Sequence, residues 1–151
     1  PSLPNAENIK TLGSWTELSD SAIYFSGTAK YSVKFDLPKS VVAKNELQLD
    51  LGDVREVAAV TINGKQIGTY WSIPYIADVK PGILKTKGNV LEIEVTNLSA
   101  NYMRLRDKQA PDWKKFYDIN VADITYKPFD ASAWKPMPSG LLGPVKIIYK
   151  Q

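Results

Sequence analysis

The sequence contains no cysteine and no histidine. Without cysteine, neither disulfides nor thiolate metal sites are available. Without histidine, the commonest general base and the commonest metal ligand are missing. Any Ser-His-Asp or Cys-His catalytic set within these residues is excluded with them. No stretch approaches the ~20 consecutive apolar residues of a membrane helix. No signal peptide is recognisable. The chain begins at Pro1 rather than Met, which reads as a processed protein or a piece excised from a longer one. The formal charge of +3 is mild, and lysines are scattered along the sequence. A nucleic-acid binder shows a basic stripe instead. Neither nucleic acid nor membrane is therefore expected as a partner. Sustained helical periodicity is also lacking.

What is present is alternation. With 151 residues the chain reads as one domain, 1–151. A domain of that size buries roughly 70% of its unfolded surface, enough for a core without staples. Its organising stretch is 44–97, a run of strands joined by tight turns. Leu47, Leu49 and Leu51 alternate with Gln48 and Asp50, the period of a half-buried strand. Val90–Val95 repeats the pattern, with Glu92 and Glu94 on the wet face. Between them lies VTINGKQIG, a hairpin whose Asn63-Gly64 turn suits type I′ because both residues tolerate positive φ. Strands of this kind must bury one face against a second sheet.

The chain in order predicts a loose lead-in, a short edge strand over 11–18 holding Trp15, and a turn at 19–21. A long strand follows over 24–37, with a bulge at Ser26-Gly27, and Pro38 ends it. Residues 71–74 form a corner, and 75–79 a short strand. The segment 98–118 has no clean period and is expected as an unusually long loop, a common place for function. A strand over 119–128 and an irregular stretch over 129–138 precede a final strand, 145–149. First and last strands can pair at one end, bringing the termini near each other. The pattern predicts an all-β antiparallel jelly-roll sandwich.

Three segments carry a family resemblance: FSGTAKYSVKFDLP (25–38), LDLGDVREVAAVTINGKQIGTYWSIPYIADV (49–79) with NVLEIEVTNLSANYMRLRD (89–107), and SGLLGPVKI (139–147). Together they resemble the galactose-binding-like jelly roll found as an accessory domain in glycoside hydrolase family 2. Within that group they most resemble the C-terminal β-sandwich of family 106 α-L-rhamnosidase-like enzymes. The segment after 90–97 departs from the family pattern: its loop is enlarged, and Ser99 replaces an aromatic residue. The resemblance implies a non-catalytic accessory domain, possessing no catalytic residues, of a bacterial glycoside hydrolase. Catalytic carboxylates then lie in a separate domain, which becomes the partner, beside a plant-type oligosaccharide. It also implies a periplasmic or secreted, polysaccharide-degrading setting. The alternatives are a purely structural interdomain module and a carboxylate-dependent glycosidase using a pair such as Glu92 and Glu94.

Several residues suit sugar or interdomain contact, each with a plainer alternative. Tyr70, Trp71 and Tyr75 cluster around Pro74; flat rings suit the C–H faces of a sugar, or close the core. Asn97, Asn101, Arg104 and Asp107 offer amides, a guanidinium and a carboxylate to sugar hydroxyls, or form a solvated loop. Trp113 and Trp134 stand in irregular segments as platforms or as covers for a sheet edge. Asp53 and Arg55 read as a sugar-contacting pair or as an ion pair stabilising a turn. No cofactor is expected. Asp50, Asp53, Asp78, Asp118 and Asp123 leave structural calcium as a minor alternative, without any EF-hand spacing.

Overall fold

The computed structural model describes residues 1–5, 8–44, 46–110, 127 and 129–149. Its strands, in order, are β1 (Thr28–Phe35), β2 (Leu47–Asp50), β3 (Asp53–Arg55), β4 (Val57–Ile62), β5 (Lys65–Tyr70), β6 (Ile76–Val79), β7 (Asn89–Thr96), β8 (Gly140–Gly143) and β9 (Lys146–Tyr149). Among the described residues two short helices, α1 (Lys39–Val42) and α2 (Ala100–Gln109), accompany them, with 3₁₀ turns at Trp15–Glu17 and Ala22–Tyr24. The strands form an antiparallel sandwich. One sheet has the order β1-β7-β4-β5, the facing sheet β6-β2-β9, and β3-β8 is a small third ladder. The all-β expectation holds.

Alternation builds the core. Leu47 and Leu49 point inward from β2, Val60 and Ile62 from β4, Ile93 and Val95 from β7, and all are buried. Val54 of β3 and Leu141 of β8 join the same cluster. Each fully buried aliphatic side chain contributes about 1.5–3 kcal/mol relative to exposure. On the wet face of β7, Glu92 and Glu94 share one partner: Lys30 Nζ lies 3.1 and 3.4 Å from their carboxylates. They form an exposed ladder, and the two carboxylates hold the Lys30 pKa above its ordinary value by hydrogen bonding.

The hairpin turn is as expected, with φ of 52° at Asn63 and 76° at Gly64. A Cβ added at Gly64 would meet no atom within 4 Å, so only its conformation resists substitution. Gly64→Val should therefore cost about 1–2 kcal/mol. The matching fall in melting temperature is roughly 2–8 °C. An unchanged midpoint would contradict the left-handed turn.

Four expectations are corrected. The stretch 11–18 contains a 3₁₀ turn, not an edge strand, because Ser14 caps it through Thr16 N and Trp15 turns into the core. The long strand begins at Thr28 rather than Tyr24, since residues 22–24 form a second 3₁₀ turn. Asp53–Arg55 is a strand paired with β8, not a turn. The first and last strands do not pair: β1 lies against β7 and β9 against β2, in different sheets.

The strand directions give the sandwich two ends. The near end gathers residues 24–28, 53–57, 70–75, 96–101 and 139–143. The far end gathers α1, the 62–65 hairpin and the connection from β6 to β7. Lys39, Lys44, Lys65, Lys80, Lys85 and Lys87 are exposed at that far end. The lysines that look scattered in the sequence are thus collected by the fold.

Candidate functional site

The residues singled out in 97–107 meet at the near end, on a helix rather than a loop. Helix α2 reads ANYMRLRDKQ, rich in straight-chain helix formers. Arg106 and Lys108 sit in its last turn, where cations favour the helix dipole. Its apolar period is absent because its inward face is polar. Asn101 and Asp107 are buried, while Tyr102 and Met103 are exposed. Asn101, Arg104 and Asp107 fall three residues apart, on one side of the helix.

That side grips the segment 131–137 through its backbone. Asn101 Nδ2 donates to Met137 O at 2.8 Å, and Met137 N donates back to Asn101 Oδ1 at 2.8 Å. Arg104 Nε donates to Trp134 O at 2.6 Å. Ala131 N donates to Asp107 Oδ2 at 2.6 Å. Helix positions 101, 104 and 107 thus match 137, 134 and 131 in antiparallel order. Arg104 also faces the Tyr24 ring at 5.4 Å, while its buried Nη1 has no hydrogen-bond partner among the described residues.

Asn97 does comparable work at the end of β7. It accepts from Gly27 N at 3.0 Å and donates to Phe25 O at 2.8 Å and to Ser139 Oγ at 3.2 Å. Ser139 N in turn donates to Ser14 Oγ at 3.0 Å, and Trp15 N to Ser139 O at 2.9 Å. One polar seam therefore joins the N-terminal segment, β7, α2 and the approach to β8. Tyr31 joins it by accepting from Trp15 Nε1 and Leu141 N, and Ser14, Trp15, Tyr31 and Ser139 were not singled out in the sequence as site candidates. The signal available was the pairing of SGLLG with a tryptophan far upstream, which no local pattern reveals.

The aromatic residues divide. Tyr75 is buried, and its hydroxyl donates to Glu56 O at 2.6 Å. Burial, then the nearby Glu56, pushes its pKa up. Tyr70 packs against the core and is also pushed up, by burial and then by Asp78. Trp71 is 74% exposed and Ile73 87% exposed. Trp134 is 41% exposed, its ring edge-to-face with Phe129 at 5.4 Å. Trp113 lies outside the described residues. The corner and α2 share the near end but flank it: β5 and β1 are opposite edges of one sheet, three strand spacings or about 14 Å apart.

The charged residues named as candidates on β2, β3 and β6 are engaged. Arg55 makes a two-pronged contact to Asp53, at 2.6 and 2.8 Å, and that carboxylate raises the guanidinium pKa further. Asp50 accepts from Gly52 N and Asp78 from Gln48. Among the described residues, no three acidic side chains gather as a metal site; Asp118 and Asp123 lie outside them. No described helix is long and apolar enough to cross a membrane.

Comparison with known proteins supplies the family. The model of the glycosyl hydrolase 2 galactose-binding domain-like family matches residues 13–132. The chain is 37% identical, over 165 aligned positions, to a Formosa agariphila protein named "Putative beta-glucuronidase", covering 95% of this chain and 14% of that one. Its fold is similar to part of a rhamnosidase from Novosphingobium sp. PP1Y, with TM-score 0.69, 30% identity, and coverage of 95% of this chain and 13% of that chain. A Bifidobacterium dentium β-glucuronidase complexed with coumarin-3-O-glucuronide shares the fold, at TM-score 0.54 and 24% identity over 64% of this chain. The chain spans only 13–16% of the length of these three proteins. An antiparallel sandwich with this hairpin and this SGLLG ladder, matched by that model over most of its length, belongs to the glycosyl hydrolase 2 galactose-binding domain-like family.

Proposed function

We propose that the chain is a non-catalytic accessory module of a larger glycoside hydrolase, and that its near end holds a neighbouring domain rather than a sugar. One observation carries this reading: the amides and carboxylate best suited to sugar hydroxyls are engaged inside the module. Asn97, Asn101 and Asp107 are buried and bind its own backbone. The apolar corner of Trp71 and Ile73 is by contrast exposed, and such surface suits a partner domain. Glu92 and Glu94, clamped by Lys30 on an open sheet face, make no cleft for general acid–base work. The small share of related hydrolases that the chain spans supports the same reading.

The isolated chain should turn over no nitrophenyl rhamnoside, galactoside or glucuronide. Turnover abolished by Glu92→Gln would make it a glycosidase. Replacing Trp71 and Ile73 with serine should leave its stability within about 0.5 kcal/mol, as for surface changes generally. A second reading, a weak sugar platform, draws on the exposed rings of Trp71 and Trp134. Titration with rhamnose, galactose, glucuronate or pectic oligosaccharides decides between them. We expect unchanged tryptophan fluorescence; saturable quenching lost in Trp71→Ala would favour the platform.

A further inference from the structure

The far end carries a surface of another kind. Lys39 on α1, Lys44 before β2, Lys65 in the hairpin, and Lys80, Lys85 and Lys87 in the β6–β7 connection are all exposed. None of the six forms an ion pair with a described residue. Among the described residues, Asp36, Glu46 and Asp78 oppose them at this end; Asp36 already accepts from Gly88 N at 2.7 Å and Asp78 from Gln48 Nε2 at 2.8 Å. Charges of one sign gathered at one end repel, and the summed field attracts anions. The three arginines, Arg55, Arg104 and Arg106, lie on β3 and α2, elements of the near end. Lysine is a hydrated point charge without the planar fork that reads phosphate in two-pronged fashion. It therefore suits anionic groups strung along a flexible chain. Tyr149, 54% exposed with Lys44 Nζ 5.8 Å from its ring centre, adds one flat face of the sort a sugar ring covers. One ring does not make the series of platforms that stacks successive bases.

The geometry points to a binding surface for an acidic polysaccharide, one bearing carboxylate or sulfate groups along its chain. The inference rests on the reading of the chain as a glycoside hydrolase module. It lies at the opposite end from the proposed domain contact, so the module can hold polymer while docked.

The test uses the whole chain against polygalacturonate, dextran sulfate, uncharged dextran and duplex DNA, at roughly 50 and roughly 300 mM salt. One or both acidic polysaccharides should bind, and at least about tenfold more weakly at high salt, as screening requires; the responding polymer tells carboxylate from sulfate. Replacing Lys39, Lys65, Lys80, Lys85 and Lys87 with glutamine should weaken binding at least tenfold. A charge-matched control, Lys10, Lys108, Lys127, Lys135 and Lys146 to glutamine, should weaken it less than about threefold, since screening limits distant charges. Equal losses in the two variants would reduce the effect to net charge and overturn the inference. So would binding of neither acidic polymer, equal binding of uncharged dextran, or tighter binding of DNA. None of these results bears on the Trp71 corner or on turnover, so the domain reading stands or falls separately.

Discussion

Gly140→Ala is expected to destabilise the protein by about 3–5 kcal/mol, lowering its melting temperature by on the order of 10 °C. Gly140 adopts φ of +100°, a conformation that costs an L side chain about 1–2 kcal/mol. An added Cβ would also lie 2.5 Å from Trp15 Nε1 and 2.7 Å from Trp15 Cε2. Trp15 cannot yield cheaply. It is 3% exposed, packs edge-to-face on Phe25 at 5.5 Å, and donates to Tyr31 Oη at 2.6 Å. That same oxygen accepts from Leu141 N at 3.1 Å, so shifting the indole disturbs the β8 ladder as well. Overpacking a core position of this kind costs typically 1–3 kcal/mol. Gly82→Ala is the control: φ is +80°, but an added Cβ meets nothing within 4 Å. Its cost should be conformational alone, about 1–2 kcal/mol. Equal urea midpoints for the two variants would show that the Trp15 contact contributes nothing.

Asn89→Leu should be comparably severe, although the two side chains share the same branched shape. Asn89 is fully buried. Its Oδ1 accepts from Lys85 N at 2.8 Å and from Asn63 Nδ2 at 3.0 Å. Its Nδ2 donates to Lys85 O at 2.6 Å and to Phe35 O at 3.4 Å. Leucine fills the space but leaves these partners unmatched, at about 1–3 kcal/mol for each buried orphan. A loss of about 3–5 kcal/mol follows, with faster amide exchange at Lys85. Asn63 shares the network, since it donates to Ile83 O at 2.7 Å and accepts from Val90 N at 2.8 Å. The Asn63→Ala, Asn89→Leu cycle should therefore be non-additive by about 0.5–3 kcal/mol. Additive losses, or a leucine variant within about 0.5 kcal/mol of the parent, would count against the network.

Both positions look ordinary in the sequence. Asn89 follows Lys87-Gly88 and reads as the end of a turn. Gly140 reads as a small residue before a strand. Their weight comes from partners far along the chain: Trp15 for Gly140, and Phe35 and Asn63 for Asn89.

The sequence by itself determined what depends on neighbours in the chain. Period-two alternation set the inward faces of β2, β4 and β7. Asn63-Gly64 set the hairpin, and Pro38 the exit from β1. The segments 25–38, 49–79 with 89–107, and 139–147 together indicated the family. Tertiary structure decided what depends on partners. Helix α2 escaped notice because Asn101, Arg104 and Asp107 form its inward face, and a polar face is stable inside only where a distant backbone satisfies it. For the same reason Asn97 and Asn101 bind the module's own backbone, whereas Trp71 is exposed. Strand pairing across sheets separated β1 from β9. It also carried six lysines from three separate connections to one end, since a sandwich brings together the turns at each end of its strands, however far apart they lie in the chain.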